Sequence, residues 1–112
     1  NIKMQEKYDY MSFRQDLSGF GEPREGSWDG WSRINTDTRK GGIIGAFRHG
    51  SNETSRIVSV ERLDPKARYS VLLAPEGKEI AIFTGRQLSS EGFKVDLTEK
   101  YDGDIFEIRL KE

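Results

Sequence analysis

The stretch of sequence that decides the fold is residues 27–50, SWDGWSRINTDTRKGGIIGAFRHG. It places Trp28 and Trp31 on either side of Asp29-Gly30, a dipeptide typical of tight turns, so we expect the chain to reverse there. Two large rings beside a reversal cannot easily both enter one core. We therefore expect one tryptophan to be a core residue and the other to be partly exposed.

Short apolar runs extend this pattern in both directions along the chain. A polar turn over 36–41 precedes the run 42–48, whose nearly continuous apolar character predicts a central strand covered on both faces. The runs are five to seven residues long and separated by turn residues, which is typical of antiparallel strands. Strands are predicted at 8–13, 31–35, 42–48, 54–60, 68–73, 79–84, 93–97 and 105–110. The expected fold is all-β, an antiparallel β-sandwich of Greek-key type with seven to nine strands.

Turn residues and alternation refine this prediction. Residues 68–84 are expected to form a hairpin, and the one short helical turn lies at 84–92, where Thr84 can cap it and Gly92 can close it. Residues 101–104 are expected to form a tight turn, and Glu107 to face outward. Alternation places ten side chains in the core: Ile43, Phe47, Val58, Val60, Tyr69, Val71, Phe93, Val95, Phe106 and Ile108.

Composition restricts the function classes. The chain has 112 residues, 34% hydrophobic and 33% charged, with a net charge of -1. Neither half is strongly basic, so nothing favours nucleic acid, and no apolar run approaches the roughly 20 residues that span a bilayer. The absence of cysteine excludes disulfides and thiolate chemistry. It leaves the compartment open and is compatible with an exported bacterial protein.

The organisation is expected to be a single domain. Residues 1–26 are predicted to be an irregular N-terminal segment or an added strand, and residues 27–112 the β-sandwich. The first residue is asparagine, and we interpret the chain as a domain cut from a longer protein in preference to a processed one.

No set of residues in the sequence indicates independent catalysis. His49 is the only histidine, and no nucleophile elbow accompanies it. Asp29 is the most site-like carboxylate, but glycoside hydrolysis needs a second carboxylate at a defined separation. Short acidic runs such as 102–104 offer too few oxygens for calcium. We expect no catalytic residue, metal or cofactor in this chain.

The residues expected to contact a partner surround the two tryptophans. An exposed tryptophan either packs on a neighbouring domain or stacks on a sugar ring, and both possibilities remain open on the residues alone. The predicted carbohydrate or domain contact residues are Trp28, Asp29, Trp31, Arg33, Arg48 and His49. In the sugar alternative, Tyr10 joins Trp28 and Trp31 in a stacking platform.

The order and spacing of several runs add a family resemblance. Residues 28–35 (WDGWSRIN) and 41–48 (GGIIGAFR) resemble the C-terminal domain of α-galactosidase-type glycoside hydrolases, the melibiase-like families 27 and 36. The likeness covers about residues 27–110 and continues through Leu63-Asp64-Pro65, Tyr69-Ser70-Val71, Thr84-Gly85-Arg86-Gln87-Leu88, Gly92-Phe93, Tyr101-Asp102-Gly103 and Phe106-Glu107.

In such enzymes a (β/α)₈ barrel holds the two catalytic aspartates and an antiparallel β-sandwich packs on it, so the resemblance implies no catalytic residue here. The resemblance implies a non-catalytic accessory domain that packs on and stabilises the barrel of the same parent glycoside hydrolase. The alternative is a carbohydrate-binding module that uses exposed aromatic residues. A free-standing enzyme is the third and least favoured class.

Overall fold

The structure, a computed structural model, describes residues 12–17, 19–20 and 24–111. Eight strands and one short helix make up this part of the chain. They are β1 (Ser12–Asp16), β2 (Ser27–Asn35), β3 (Gly41–His49), β4 (Ser55–Val58), β5 (Arg68–Leu73), β6 (Lys78–Thr84), α1 (Gly85–Ser90), β7 (Phe93–Asp96) and β8 (Tyr101–Leu110). In the described residues, no helix is long and apolar enough to cross a membrane.

The strands form two antiparallel sheets. Six strands are arranged in the order β1-β2-β3-β8-β5-β6, and β4 pairs with β7 in a second sheet. Strand β8 lies between β3 and β5, so the last strand crosses over to the middle of the large sheet, as it would not in a simple meander. The prediction of an all-β antiparallel sandwich with seven to nine strands and one short helical turn is confirmed.

The predicted reversal at Asp29-Gly30 is wrong, because both residues lie within β2. Opposite them, β3 pairs residue by residue, with Asp29 against Phe47 and Gly30 against Ala46. The chain instead reverses after Asn35, whose Oδ1 accepts hydrogen bonds of 3.1 Å from the backbone N–H groups of the next turn residues. The polar turn predicted at 36–41 is therefore the β2–β3 connection.

The core lies between the two sheets. Eight of the ten predicted core residues belong to the cluster between the sheets, in which Phe93 meets Phe106 edge to face with ring centroids 5.2 Å apart. A ninth, Ile43, is buried on the outward-pointing side of β3. The exception is Phe47, which is half-buried because it lies on the opposite face of β3 from Ile44 and Ala46. Those two side chains, which were not predicted, fill that part of the core.

Local signals for the helix are confirmed. Thr84 caps α1 in a capping box, in which the side chains of Thr84 and Gln87 each accept a backbone N–H of the other. Gly92 follows the helix with φ +71°, a conformation that favours glycine. The predicted hairpin over 68–84 is also present as the β5–β6 pair.

The start of β8 differs from the sequence prediction. The tight turn expected at 101–104 is wrong, because these residues pair with β3 as the first part of β8. Glu107 faces away from the core, as expected, but it is buried beside Arg109, whose Nη2 lies 2.9 Å from Glu107 Oε1. Within segment 1–26, β1 pairs with β2. The strand predicted at 8–13 lies outside the described residues except for positions 12 and 13.

Candidate functional site

The face of the six-stranded sheet that points away from β4 and β7, called here the outer face, carries most of the predicted contact residues. Directly paired residues on neighbouring antiparallel strands share a face. Two rows therefore run across β2, β3 and β8 on this face: Trp31, Gly45 and Ile105; and Asp29, Phe47 and Gly103. His49 pairs with Tyr101 in the next row.

Two aromatic rings lie directly against glycines in the middle of this face. A Cβ atom built on Gly45 would lie 2.7 Å from Cε2 of Trp31 and 3.0 Å from Cε2 of Phe47, so both rings cover that glycine. Phe47 also covers Gly103, where an added Cβ would clash with Cδ1 of the ring. Trp31, Phe47 and Ile105 are all half-buried, and we call these three residues the aromatic strip.

A buried carboxylate lies at one end of the aromatic strip. Asp29 is only 7% exposed, and its Oδ1 contacts Nε2 of His49, whose side chain is 41% exposed. Within residues 24–111, this Oδ1 accepts no conventional hydrogen bond, so the imidazole is its polar neighbour. The contact turns Nε2 of His49 toward the carboxylate, and Nδ1 lies on the other side of the imidazole ring.

The pair does not extend to a nucleophile in the described part of the chain. Ser27 pairs with His49 across the strands, but its hydroxyl donates to the carbonyl of Arg24 over 2.7 Å. The hydroxyl oxygen of Ser51 accepts the N–H of Glu53. Neither hydroxyl is hydrogen-bonded to the imidazole, so a Ser-His-Asp arrangement is not assembled.

Tyr101 forms a second anchored polar group beside His49. Its hydroxyl donates to Oε2 of Glu25, and that hydrogen bond, with a smaller effect of burial, raises the pKa of Tyr101 above 10.0. The phenol therefore stays neutral. A depression of about 400 Å³ opens between the ends of β3 and β8, lined by residues 47–49 and 101–103.

Two of the predicted contact residues lie on the inner face instead. Trp28 is fully buried, packs edge to face against Phe20 and donates its indole N–H to the carbonyl of Glu53 over 2.9 Å. Arg48 is 3% exposed. Because their side chains are enclosed by this chain, neither can serve as a surface contact, which corrects that part of the prediction.

Arg48 instead connects the sheet to two loops. Its Nε donates to the carbonyl of Ser51 over 2.9 Å, and its Nη1 donates to the carbonyls of Leu97 and Thr98 over 2.7 and 3.2 Å. A buried guanidinium that satisfies backbone oxygens stabilises the fold. Of the remaining predicted residues, Arg33 lies on the outer face opposite Ile43, while Tyr10 falls outside the described residues.

One carboxyl group on the inner face is perturbed. Burial, and to a smaller extent the negative charges of Asp102 and Glu76, raise the pKa of Asp104 above 3.8. This residue pairs with Ala46 rather than with His49, so it is separate from the Asp29–His49 contact. No group of three histidine or acidic side chains in residues 12–17, 19–20 and 24–111 is placed to hold a metal ion.

Sequence reasoning missed Tyr101 and assigned Phe47 to the core. The signal that separates the two faces is the parity of residue numbers within a strand, since successive side chains alternate. In β2 and β3 the odd-numbered residues point outward, which separates Trp31 from Trp28 and His49 from Arg48. Parity could not be applied while residues 29–30 were interpreted as a turn.

Comparison with known proteins relates the fold to larger enzymes. No protein-family model and no curated protein matches the chain. Among solved structures, the GH36 α-galactosidase AgaB from Geobacillus stearothermophilus is similar over 97% of this chain, at 18% identity and a TM-score of 0.74. The galactosidase domain of the α-galactosidase-sucrose kinase AgaSK is similar over 98%, at 20% identity and a TM-score of 0.70.

The α-galactosidase from Lactobacillus brevis is similar over 98% of this chain, at 15% identity and a TM-score of 0.71. The chain spans only 14% or 15% of the length of these neighbours. This likeness agrees with the sequence resemblance to the C-terminal domain of such enzymes. The chain therefore has the fold of a small, β-rich part of GH36 α-galactosidases.

Proposed function

We propose that this chain is the non-catalytic accessory domain of an α-galactosidase-like glycoside hydrolase, and that it packs on and stabilises the catalytic (β/α)₈ barrel through its outer face. The observation that carries the proposal is the half-buried aromatic strip in a fold that occurs as about one seventh of GH36 chains. Such a strip in a small domain is suited to contact with a larger body.

The strip has the physical properties of an interface centre. Tryptophan and other large rings contribute most to binding when they are enclosed by a partner. The rings of Trp31 and Phe47 already pack against Gly45 and Gly103, so they lose little freedom when a partner covers them.

The polar groups beside the strip fit the rim of such an interface. Asp29 is nearly buried, contacts His49 and lies next to Phe47. Exposed Tyr101 is paired with His49 on the neighbouring strand. Polar residues around an apolar centre are typical of protein interfaces. In this proposal the catalytic carboxylates belong to the barrel, and Asp29 has no catalytic role.

The sugar platform predicted from Trp28, Trp31 and Tyr10 is less well supported. Trp28 is enclosed in the core, so its ring cannot stack on a ligand. Trp31 would be the one described ring left in that platform, on the face that we assign to domain contact.

The test compares this chain with the complete protein encoded by the reading frame that contains it. That frame should also encode a barrel. Trp31→Ala should then destabilise the complete protein by at least about 2 kcal/mol more than it destabilises the 112-residue chain, because only the complete protein covers the ring. Thermal and urea unfolding measure both values.

The matched control is Ile57→Ala, which truncates an exposed apolar residue, 54% exposed, on the second sheet. It should change both proteins equally. A reading frame without a barrel, or equal effects of Trp31→Ala in the two proteins, would contradict the proposal.

A further inference from the structure

We propose that one end of the six-stranded sheet, called here the basic end, is a docking surface for an acidic segment of a protein partner. At this end β2, β6 and β8 finish and β3 and β5 begin. Because it lies at the strand ends and not on the outer face, the inference does not depend on the accessory role. The basic end carries six exposed cationic side chains: Arg39, Lys40, Lys66, Arg68, Arg86 and Lys111.

Main-chain hydrogen bonds hold the segments that carry these cations side by side. The N–H groups of residues 110–111 donate to the carbonyls of Lys40 and Arg68, in both cases over 2.8 Å. The N–H of Arg86 donates to the carbonyl of Pro65 over 3.2 Å. Four segments of the chain therefore meet in a fixed arrangement, which a partner can bind without first ordering the backbone.

The positive charges of the basic end are available to a partner. Among the described acidic groups, only Glu79 lies within ion-pair distance of any of the six cations, 3.8 Å from Nζ of Lys111. The opposite end of the sheet is acidic: there, burial and then the negative charges of Asp102 and Glu76 raise the pKa of Asp104. This separation of charge produces a field that turns the basic end toward an approaching negative surface.

The surroundings of the cations favour a protein partner over a nucleic acid. Three of the six are arginines, whose guanidinium groups bind oxyanions through paired hydrogen bonds. Exposed Asp37, Glu61 and Asp64 lie in the same loops, and this mixture of signs matches a protein surface better than a uniform row of phosphates. Tyr69 lies beneath these loops, but it is buried and its hydroxyl donates to the carbonyl of Arg39, so it offers no ring to a nucleic-acid base.

The experiment titrates the ¹⁵N-labelled chain with an oligo-L-glutamate peptide and, separately, with a single-stranded RNA of the same charge, followed by amide NMR shifts. The peptide should bind saturably, with the largest shifts at residues 39–40, 66–68, 86 and 111. Screening of exposed charges predicts that raising sodium chloride from about 0.02 M to about 0.3 M weakens this binding at least tenfold. Lys66→Glu and Arg86→Glu should each weaken it about threefold, and the double variant about tenfold.

The matched control is Lys100→Glu, which makes the same change of charge at an exposed residue beside the start of β8, at the opposite end of the sheet. It should bind the peptide within about twofold of the parent chain. Absence of saturable binding, shifts that avoid the basic end, or equal weakening by Lys100→Glu would overturn the docking surface. Tighter binding of the RNA at the same residues would overturn the choice of a protein partner. None of these outcomes depends on whether the chain belongs to a larger hydrolase.

Discussion

Replacing Arg48 with methionine tests most directly whether this residue stabilises the fold or contacts a partner. Methionine fills much of the same volume but donates no hydrogen bond. The carbonyls of Ser51 and Leu97, both in buried residues, would lose their donors, while exposed Thr98 can turn to water. Two buried carbonyls at roughly 1.5–2 kcal/mol each predict a loss of about 3–4 kcal/mol.

That loss is a large part of the roughly 5–15 kcal/mol that stabilises a typical domain. Urea unfolding of the 112-residue chain, followed by tryptophan fluorescence, measures it. The matched control is Arg86→Met on α1, where the side chain is exposed and a change below about 0.5 kcal/mol is expected. If Arg48→Met changes stability as little as the control, the assignment of Arg48 to the fold is wrong.

The remaining predictions concern the core, one carboxyl group and activity. Phe106→Ala and Phe93→Ala should each cost roughly 3–5 kcal/mol in urea unfolding, because both rings are buried and in mutual contact. A loss below about 1 kcal/mol would contradict the assigned core. Burial raises the pKa of Asp104 in the folded state, so the folded chain favours the protonated, neutral carboxyl group. The folding stability associated with this group is fully present below pH 3.8 and is lost as the pH rises through the folded pKa. Asp104→Asn should therefore stabilise the chain at pH 7 and have little effect below pH 3.8, and pH-dependent melting with no gain at pH 7 would refute this. The isolated chain should not hydrolyse an aryl α-galactoside, and turnover that follows the chain through purification and disappears in Asp29→Asn would show otherwise.

Alternation of apolar and polar residues identified most strands correctly, because each has one face on the core. Buried Phe93 and Val95 on β7, which alternate with exposed Lys94 and Asp96, illustrate the pattern. The capping signal at Thr84 was also readable, since it depends only on residues within one helical turn. These local patterns were sufficient for the fold class.

The errors arose where glycine was interpreted as a turn residue. Gly30 and Gly103 follow aspartate, as turn glycines often do, yet both lie inside long strands. Their small size is required by neighbours: an added Cβ would clash with Leu17 at Gly30 and with Phe47 at Gly103. A glycine within a strand often marks such close approach. The neighbours come from distant parts of the chain, so the sequence alone did not reveal them.

The same long-range pairing explains why the candidate site was only partly predicted. Asp29 and His49 were selected because they lie near the tryptophans, and the structure brings them into contact. Tyr101 was missed because its place beside His49 depends on the β3–β8 register, which joins residues about fifty positions apart. No local pattern encodes that register.

The central place of β8 has a consequence for how the protein forms in the cell. In the large sheet, β8 joins two halves. One half consists of β1, β2 and β3, and the other is the β5–β6 hairpin. During synthesis both halves emerge from the ribosome before the strand that joins them, and their inner edges remain unpaired until residues 101–110 appear. Unpaired edges attract other strands. The interval before β8 inserts is therefore the stage at which the unpaired edges of β3 and β5 expose this chain most to aggregation.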